Sequence, residues 1–162
     1  NLGYYLNLYN VWSTYGVESE GVFIAYASVY GHTEKAAKLL AEQLEAKDVK
    51  VTISDLARSD WAENVEDAFR YGKLVLASPT YNGDVFPVMR EFILHLNERN
   101  FQNRTVAFIE NGSWAPFATK VMKGMLEGCK NLTFAQTEVK ILSSMSKENE
   151  LQIQNLADEL AK

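Results

Sequence analysis

Cysteine is nearly absent from this chain. One residue, Cys129, occurs in 162, so no internal disulfide can form, and the usage fits a reducing, cytoplasmic compartment. Histidine is almost as scarce. His32 and His95 stand far apart with no ligand-spaced companions, so no metal site of the chain's own is expected. No apolar run approaches the roughly 18 residues that a membrane helix needs. Cations are outnumbered: 16 Lys and Arg face 21 Asp and Glu, a net charge of −5. That balance argues against nucleic acid or an anionic membrane as partner. The segment 2–12 is too rich in Tyr and Asn, and lacks the basic start, to be expected as a signal peptide.

What is present is an ordinary globular composition, 47% apolar, in a length that makes one domain with a proper core. The opening segment reads as a short helix with an aromatic face, followed by a polar connector, 13–20. An aromatic helix set before a complete core is expected to pack on a neighbouring domain. From Gly21 onward, strand and helix patterns alternate. Val22–Ala27, 73–78 and 105–109 are continuous apolar runs, as central strands buried on both faces require. Val49, Val51 and Ile53 alternate with Lys50, Thr52 and Ser54, the pattern of an edge strand with one wet side. A last strand is expected over 133–142.

Between the strands, Ala37, Leu40, Ala41 and Leu44 recur on one helical face. Trp61, Val65, Ala68 and Phe69 do so after an Asp60 start. Pro87 opens a helix with Val88, Phe92, Ile93 and Leu96 inward. Pro116 opens another with Ala118, Val121, Met122 and Met125 inward, ending near Gly128. Ser146 is placed to cap a closing helix whose stripe is Ile153, Leu156, Ala157 and Leu160. Five strands alternating with five helices predict a doubly wound α/β fold: a five-stranded parallel sheet, order 2-1-3-4-5, with helices on both faces. Ligands of such sheets sit at the carboxyl ends of the strands, beside the switch point between the first and third.

Three loops fall at those ends. The first, Ser28-Val29-Tyr30-Gly31-His32-Thr33, leads from a strand into a helix start. Free backbone N–H groups and the helix dipole favour an anion there. Ser28 and Thr33 add hydroxyls and Gly31 lets the backbone curl. No Lys or Arg lies between Val22 and Glu34, so dipoles and hydroxyls rather than a point charge would hold a phosphate monoester. A plain helix cap is the competing reading of these residues. The second loop is Ser78-Pro79-Thr80-Tyr81-Asn82-Gly83-Asp84, with a strong Asn-Gly turn signal and an aromatic ring. The third is Glu110-Asn111-Gly112-Ser113-Trp114, with another Asn-Gly and another ring. Together they describe a phosphate seat and a slot for a planar ring.

With these motifs the chain resembles the flavodoxin family, and within it the C-terminal flavodoxin-like domain of flavodiiron proteins (A-type flavoproteins). The segment Leu8-Tyr-Asn-Val-Trp12-Ser-Thr-Tyr15 resembles the linker that joins their metallo-β-lactamase-like diiron domain to the flavin domain. The resemblance covers the whole chain and divides it into a linker helix, 1–20, and a flavodoxin-like domain, 21–162. It implies FMN as cofactor, with Ser28, Val29, Tyr30, Gly31, His32 and Thr33 at the phosphate. Pro79, Thr80, Tyr81, Asn82 and Gly83, with Asn111, Gly112, Ser113 and Trp114, would wrap the isoalloxazine. Tyr81 and Trp114 would be its ring neighbours. His32 stands where the family often carries Asn. His95, set among Phe92, Ile93 and Leu96, reads as a packing residue, and Cys129 as structural.

The resemblance further implies one-electron shuttling through the flavin semiquinone. The electrons would go to a diiron oxygen or nitric oxide reductase domain outside these residues, in cis or on a dimer mate. They would come from a protein donor such as rubredoxin or a reductase. Two rivals stay open at this point. One is a self-contained NAD(P)H or quinone reductase on the same fold, and the other a module that has lost flavin and works only by contact.

Overall fold

The computed structural model describes residues 2–112 and 117–162. Helix α1 (Leu2–Ser13) precedes β1 (Ser19–Tyr26), α2 (His32–Glu45), β2 (Val51–Asp55) and α3 (Trp61–Arg70). Next come β3 (Tyr71–Tyr81), a two-residue β4 (Asp84–Val85), α4 (Pro87–Glu98) and β5 (Thr105–Gly112). The chain closes with α5 (Ala118–Met125), β6 (Thr133–Phe134), β7 (Val139–Leu142) and α6 (Lys147–Leu160). The parallel sheet runs β2-β1-β3-β5, with β6 and then β7 both pairing β5 on its far side. This is the expected flavodoxin-like order, with the final strand divided in two.

The division has a cause. Between β6 and β7 the amides of Gln136 and Thr137 are taken by the Glu159 carboxylate, at 2.8 and 2.9 Å. They are thereby withdrawn from the ladder with β5. The added strand β4 is the return arm of a hairpin on β3, pairing Thr80 with Val85 and Tyr81 with Asp84. Its turn residues Asn82 and Gly83 have φ of 50° and 76°, the left-handed pair that a type I′ hairpin requires.

Alternate residues of the central strands feed two cores. Val22, Ile24, Val75, Ala77, Ala107 and Ile109 face α2 and α6. Phe23, Leu74, Leu76, Val106 and Phe108 face α3, α4 and α5. The stripes of α2 and α6 are buried as their spacing predicts. Ser146 caps α6 in a capping box with Asn149. Two expectations fail. Trp61 is 47% exposed, and Asn64 is buried in its place, held by Ser54 and Ser59. Ile53 of the edge strand is exposed as well.

Helix α1 contributes no buried residue. Its connector is held at the amino end of the sheet by Arg104, which is 3% exposed. The guanidinium donates to the carbonyls of Tyr15 (2.7 Å), Gly16 (3.0 Å) and Phe69 (2.6 Å). It also donates to Gln102 and Asn103, both at 3.1 Å.

Candidate functional site

The three loops emerge from adjacent strands. Ala77 pairs Tyr26 in register, Ser78 pairs Glu110 and Pro79 pairs Asn111. The loops therefore share one rim at the carboxyl end of the sheet, beside the gap where β1 and β3 diverge in connection.

Ser28 is the knot of the first loop. Its Oγ accepts from the Gly31 N–H at 3.1 Å and from the Glu34 N–H at 3.4 Å. A hydroxyl so occupied keeps one free valence, its own O–H donor. Ser28 thus does take the third amide of α2, as a plain cap would. The amides of Val29, Tyr30, His32 and Thr33 nevertheless meet no acceptor among the described residues. Gly31, the N-cap of α2, sits at φ 86° and caps with no side chain. A Cβ there would have the left-handed geometry that L-residues avoid, and it would meet nothing within 4 Å. A curled loop with free donors and open space before its glycine fits an anion.

The charge of Glu34, in the first turn of α2, is taken up close by. Lys38 Nζ lies 3.1 Å away and the Tyr26 hydroxyl donates to it at 3.0 Å. The Lys38 contact, then the Tyr26 hydrogen bond, holds its carboxyl below the usual range. Tyr26, under the loop, is pushed up to about 12 by burial, by its bond to Glu34 and by nearby Asp55. Tyr30 is 86% exposed at the loop tip, and His32 lies half-buried in the first turn of α2.

In the second loop, Tyr81 is 49% exposed and packs edge-on against Phe86, centroids 5.6 Å apart at 78°. One face of its ring is left for a neighbour. The hairpin is braced by Asp84, whose carboxylate receives Arg90 Nη2 at 2.6 Å and Nε at 3.1 Å. That contact, with the Val85 amide, holds Asp84 below the usual carboxylate range. Thr80 Oγ1 accepts the Phe117 N–H at 3.0 Å, tying the second loop to the start of α5. Asn111 and Gly112 end β5. Ser113 and Trp114 lie outside the described residues.

Phe86, which sequence reading passed over, backs the Tyr81 ring, and Glu110, read only as the start of the third loop, is buried. His95 packs as expected, stacked on Trp61 at 3.9 Å and 9°. Cys129 donates to Asn97 Oδ1 at 3.4 Å, and burial pushes its thiol up, which suits a structural role. Among the described residues no helix is long and apolar enough to cross a membrane.

Comparison with known proteins places this arrangement. The flavodoxin domain family matches residues 23–129. A coenzyme F420H2 oxidase of Methanothermobacter marburgensis is 30% identical over 101 residues, 62% of this chain and 24% of the relative. The flavodiiron protein of Giardia intestinalis superposes with a TM-score of 0.87 at 18% identity, over 98% of this chain and 39% of that one. A flavodoxin from the domain Archaea gives 0.75 at 18% identity, over 88% of this chain and 96% of that one. The chain spans well under half the length of the curated relatives it matches. With its sheet order, its loops and this match agreeing, the chain belongs to the flavodoxin domain family, the FMN-binding electron-transfer proteins of this fold.

Proposed function

We propose that 21–162 is an FMN-carrying domain that passes electrons one at a time to a diiron, metallo-β-lactamase-like domain outside this sequence. The segment 1–20 is the linker to that domain. The observation that carries the reading is the loop 28–33. Its backbone is closed by Ser28, its left-handed glycine faces open space, and four amides have no acceptor among the described residues. Those amides, with the hydroxyls of Ser28 and Thr33, hold the phosphate. The rim residues Pro79–Gly83, Asn111 and Gly112 border the isoalloxazine, as do Ser113 and Trp114 in this reading. FMN supplies reversible single-electron chemistry. The protein orients it, and Tyr81 and Phe86 keep water from one side.

The linker's place supports a particular delivery route. Arg104 holds Tyr15 and Gly16 at the amino end of the sheet, and the flavin rim is at the carboxyl end. The eight residues of β1, at about 3.3 Å each, separate them by roughly 26 Å. A diiron centre preceding α1 in the same chain starts from the wrong end. The second copy of a head-to-tail pair can present its own centre to the rim. A protein donor, of the rubredoxin or reductase kind, completes the path.

Titration of the purified chain with FMN and with riboflavin tests the reading. Stoichiometric FMN binding and much weaker riboflavin binding are expected, since charge-assisted bonds to the phosphate are worth about 1.5–3 kcal/mol each. Equal affinity would remove the phosphate assignment. Rapid reduction by NADPH alone would move the self-contained reductase ahead.

A further inference from the structure

Glu110 is a carboxylate buried at the seam between the second and third loops, 1% exposed. In β5 it stands opposite Ser78, one residue before the Pro79–Asn111 pair. Strand alternation puts it on the face of Val106 and Phe108, under α5. There Oε2 accepts the Thr119 N–H at 2.8 Å, and Oε1 lies 4.0 Å from Lys140 Nζ. Burying a carboxylate is costly unless it is paired and hydrogen-bonded. Its neighbours along the strand, Phe108 and Ile109, show that apolar side chains fit this region.

The residue takes over a missing function. Helix α5 has Phe117 at its N-cap, with no side-chain cap, where Ser, Thr, Asp or Asn would serve. Glu110 supplies the acceptor from a neighbouring strand, and Thr80 Oγ1 takes the Phe117 amide. The third loop thus leaves from Gly112, two residues after Glu110, and returns to a helix start that Glu110 and Thr80 hold. A neutral cap would hold it equally well. Glu110 adds a negative charge at the floor of the rim.

We propose that Glu110 is a positioning residue for bound FMN that also lowers its reduction potential. The inference rests on the FMN reading above. Adding electrons to a flavin near a fixed, poorly solvated negative charge is opposed by Coulomb repulsion, which the protein interior attenuates less than water does.

Two variants separate charge from tether in the FMN-loaded 162-residue chain. Glu110→Gln keeps an acceptor for Thr119 and removes the charge, while Glu110→Ala removes both. Potentials are read against reference dyes with dithionite as electron source. Glu110→Gln is expected to shift the equilibrium towards reduced flavin by about tenfold, 59 mV for a one-electron step. FMN affinity should stay within about twofold, because the hydrogen bond is retained. Lys140→Met should shift the potential the opposite way. The Glu110→Gln shift should persist in ~1 M salt and the Lys140→Met shift should shrink, since buried charges are screened less. Glu110→Ala should raise the potential equally and weaken FMN binding by about tenfold, the equivalent of a lost bond to a charged group.

An unchanged potential in Glu110→Gln, or in Lys140→Met should the first variant not fold, overturns the charge role. Equal FMN affinity in the Ala and Gln variants overturns the positioning role. A wild-type chain that binds no FMN overturns the proposed function, and this inference with it. FMN binding by the wild type with no shift in Glu110→Gln overturns this inference alone.

Discussion

The two ends of the sheet treat backbone polar groups in opposite ways. At the amino end, Arg104 gathers five carbonyls from three separate stretches of chain. At the carboxyl end, Ser28 closes a loop in which four amides have no acceptor among the described residues. The carbonyls clasped by Arg104 make the amino end a fastening, and the loop amides left open at the other end make a seat for an anion. The glycines repeat the contrast. A Cβ at Gly21, at the amino end, would lie 2.7 Å from the Lys50 carbonyl, whereas one at Gly31 would meet nothing. One end is closed by the chain itself, and the other is shaped to be closed by something else.

The sharpest way to break this contrast is Arg104→Met. The guanidinium is buried, desolvation lowers its pKa, and no carboxylate pairs with it among the described residues. Its removal orphans carbonyls at the amino end. A loss of about 3–5 kcal/mol in the urea unfolding of the flavin-free chain is expected. FMN affinity of the folded fraction should be unchanged. A large affinity loss would mean that the two ends are coupled and the division is wrong.

Tyr26 tests the ground under the seat. Its pKa is pushed up to about 12, so the folded chain favours the neutral phenol. The resulting stability is fully present below pH 10 and is lost as pH rises from about 10 to 12. Two pKa units correspond to about 2.7 kcal/mol. Tyr26→Phe should abolish this alkaline component, measured as the pH dependence of unfolding relative to wild type.

Much of this arrangement was readable in the sequence. Continuous apolar runs identify β1, β3 and β5 because both faces of those strands are buried, and the same burial brings the three loops to one rim. What sequence reading missed depends on partners far away in the chain. The last strand divides because Glu159 captures two amides more than 20 residues earlier. Trp61 has helix-stripe spacing, yet it sits half-exposed against His95 of α4. Arg104 and Glu110 look like ordinary surface charges until Phe69 and Thr119 arrive beside them. Ser28 was readable as a candidate phosphate contact, but its role in closing the loop lies in a geometry that composition does not encode.

Ser28→Ala probes that double role. It removes the acceptor for the Gly31 and Glu34 amides and the donor left for the phosphate. FMN affinity should fall by roughly 1–3 kcal/mol with riboflavin affinity nearly unchanged. Equal losses for the two flavins would show that Ser28 only shapes the loop.

The smallest expected effect separates the open glycine from the strained one. Gly31→Ala imposes a side chain at φ 86°, which costs about 1–2 kcal/mol for an L-residue. The new methyl meets no protein atom within 4 Å, so the flavin-free chain should lose that conformational amount and no more. The methyl does project into the space that the phosphate reading fills, so FMN should weaken by more than the folding loss while riboflavin does not. Gly21→Ala is the control from the other end: φ is 148° and the Lys50 carbonyl stands in the way, so stability falls and FMN affinity of the folded chain holds. Calorimetric titration beside urea unfolding reads both quantities on each variant. If the FMN affinity of the folded chain held in Gly31→Ala as it does in Gly21→Ala, the space before Gly31 would not be the phosphate seat.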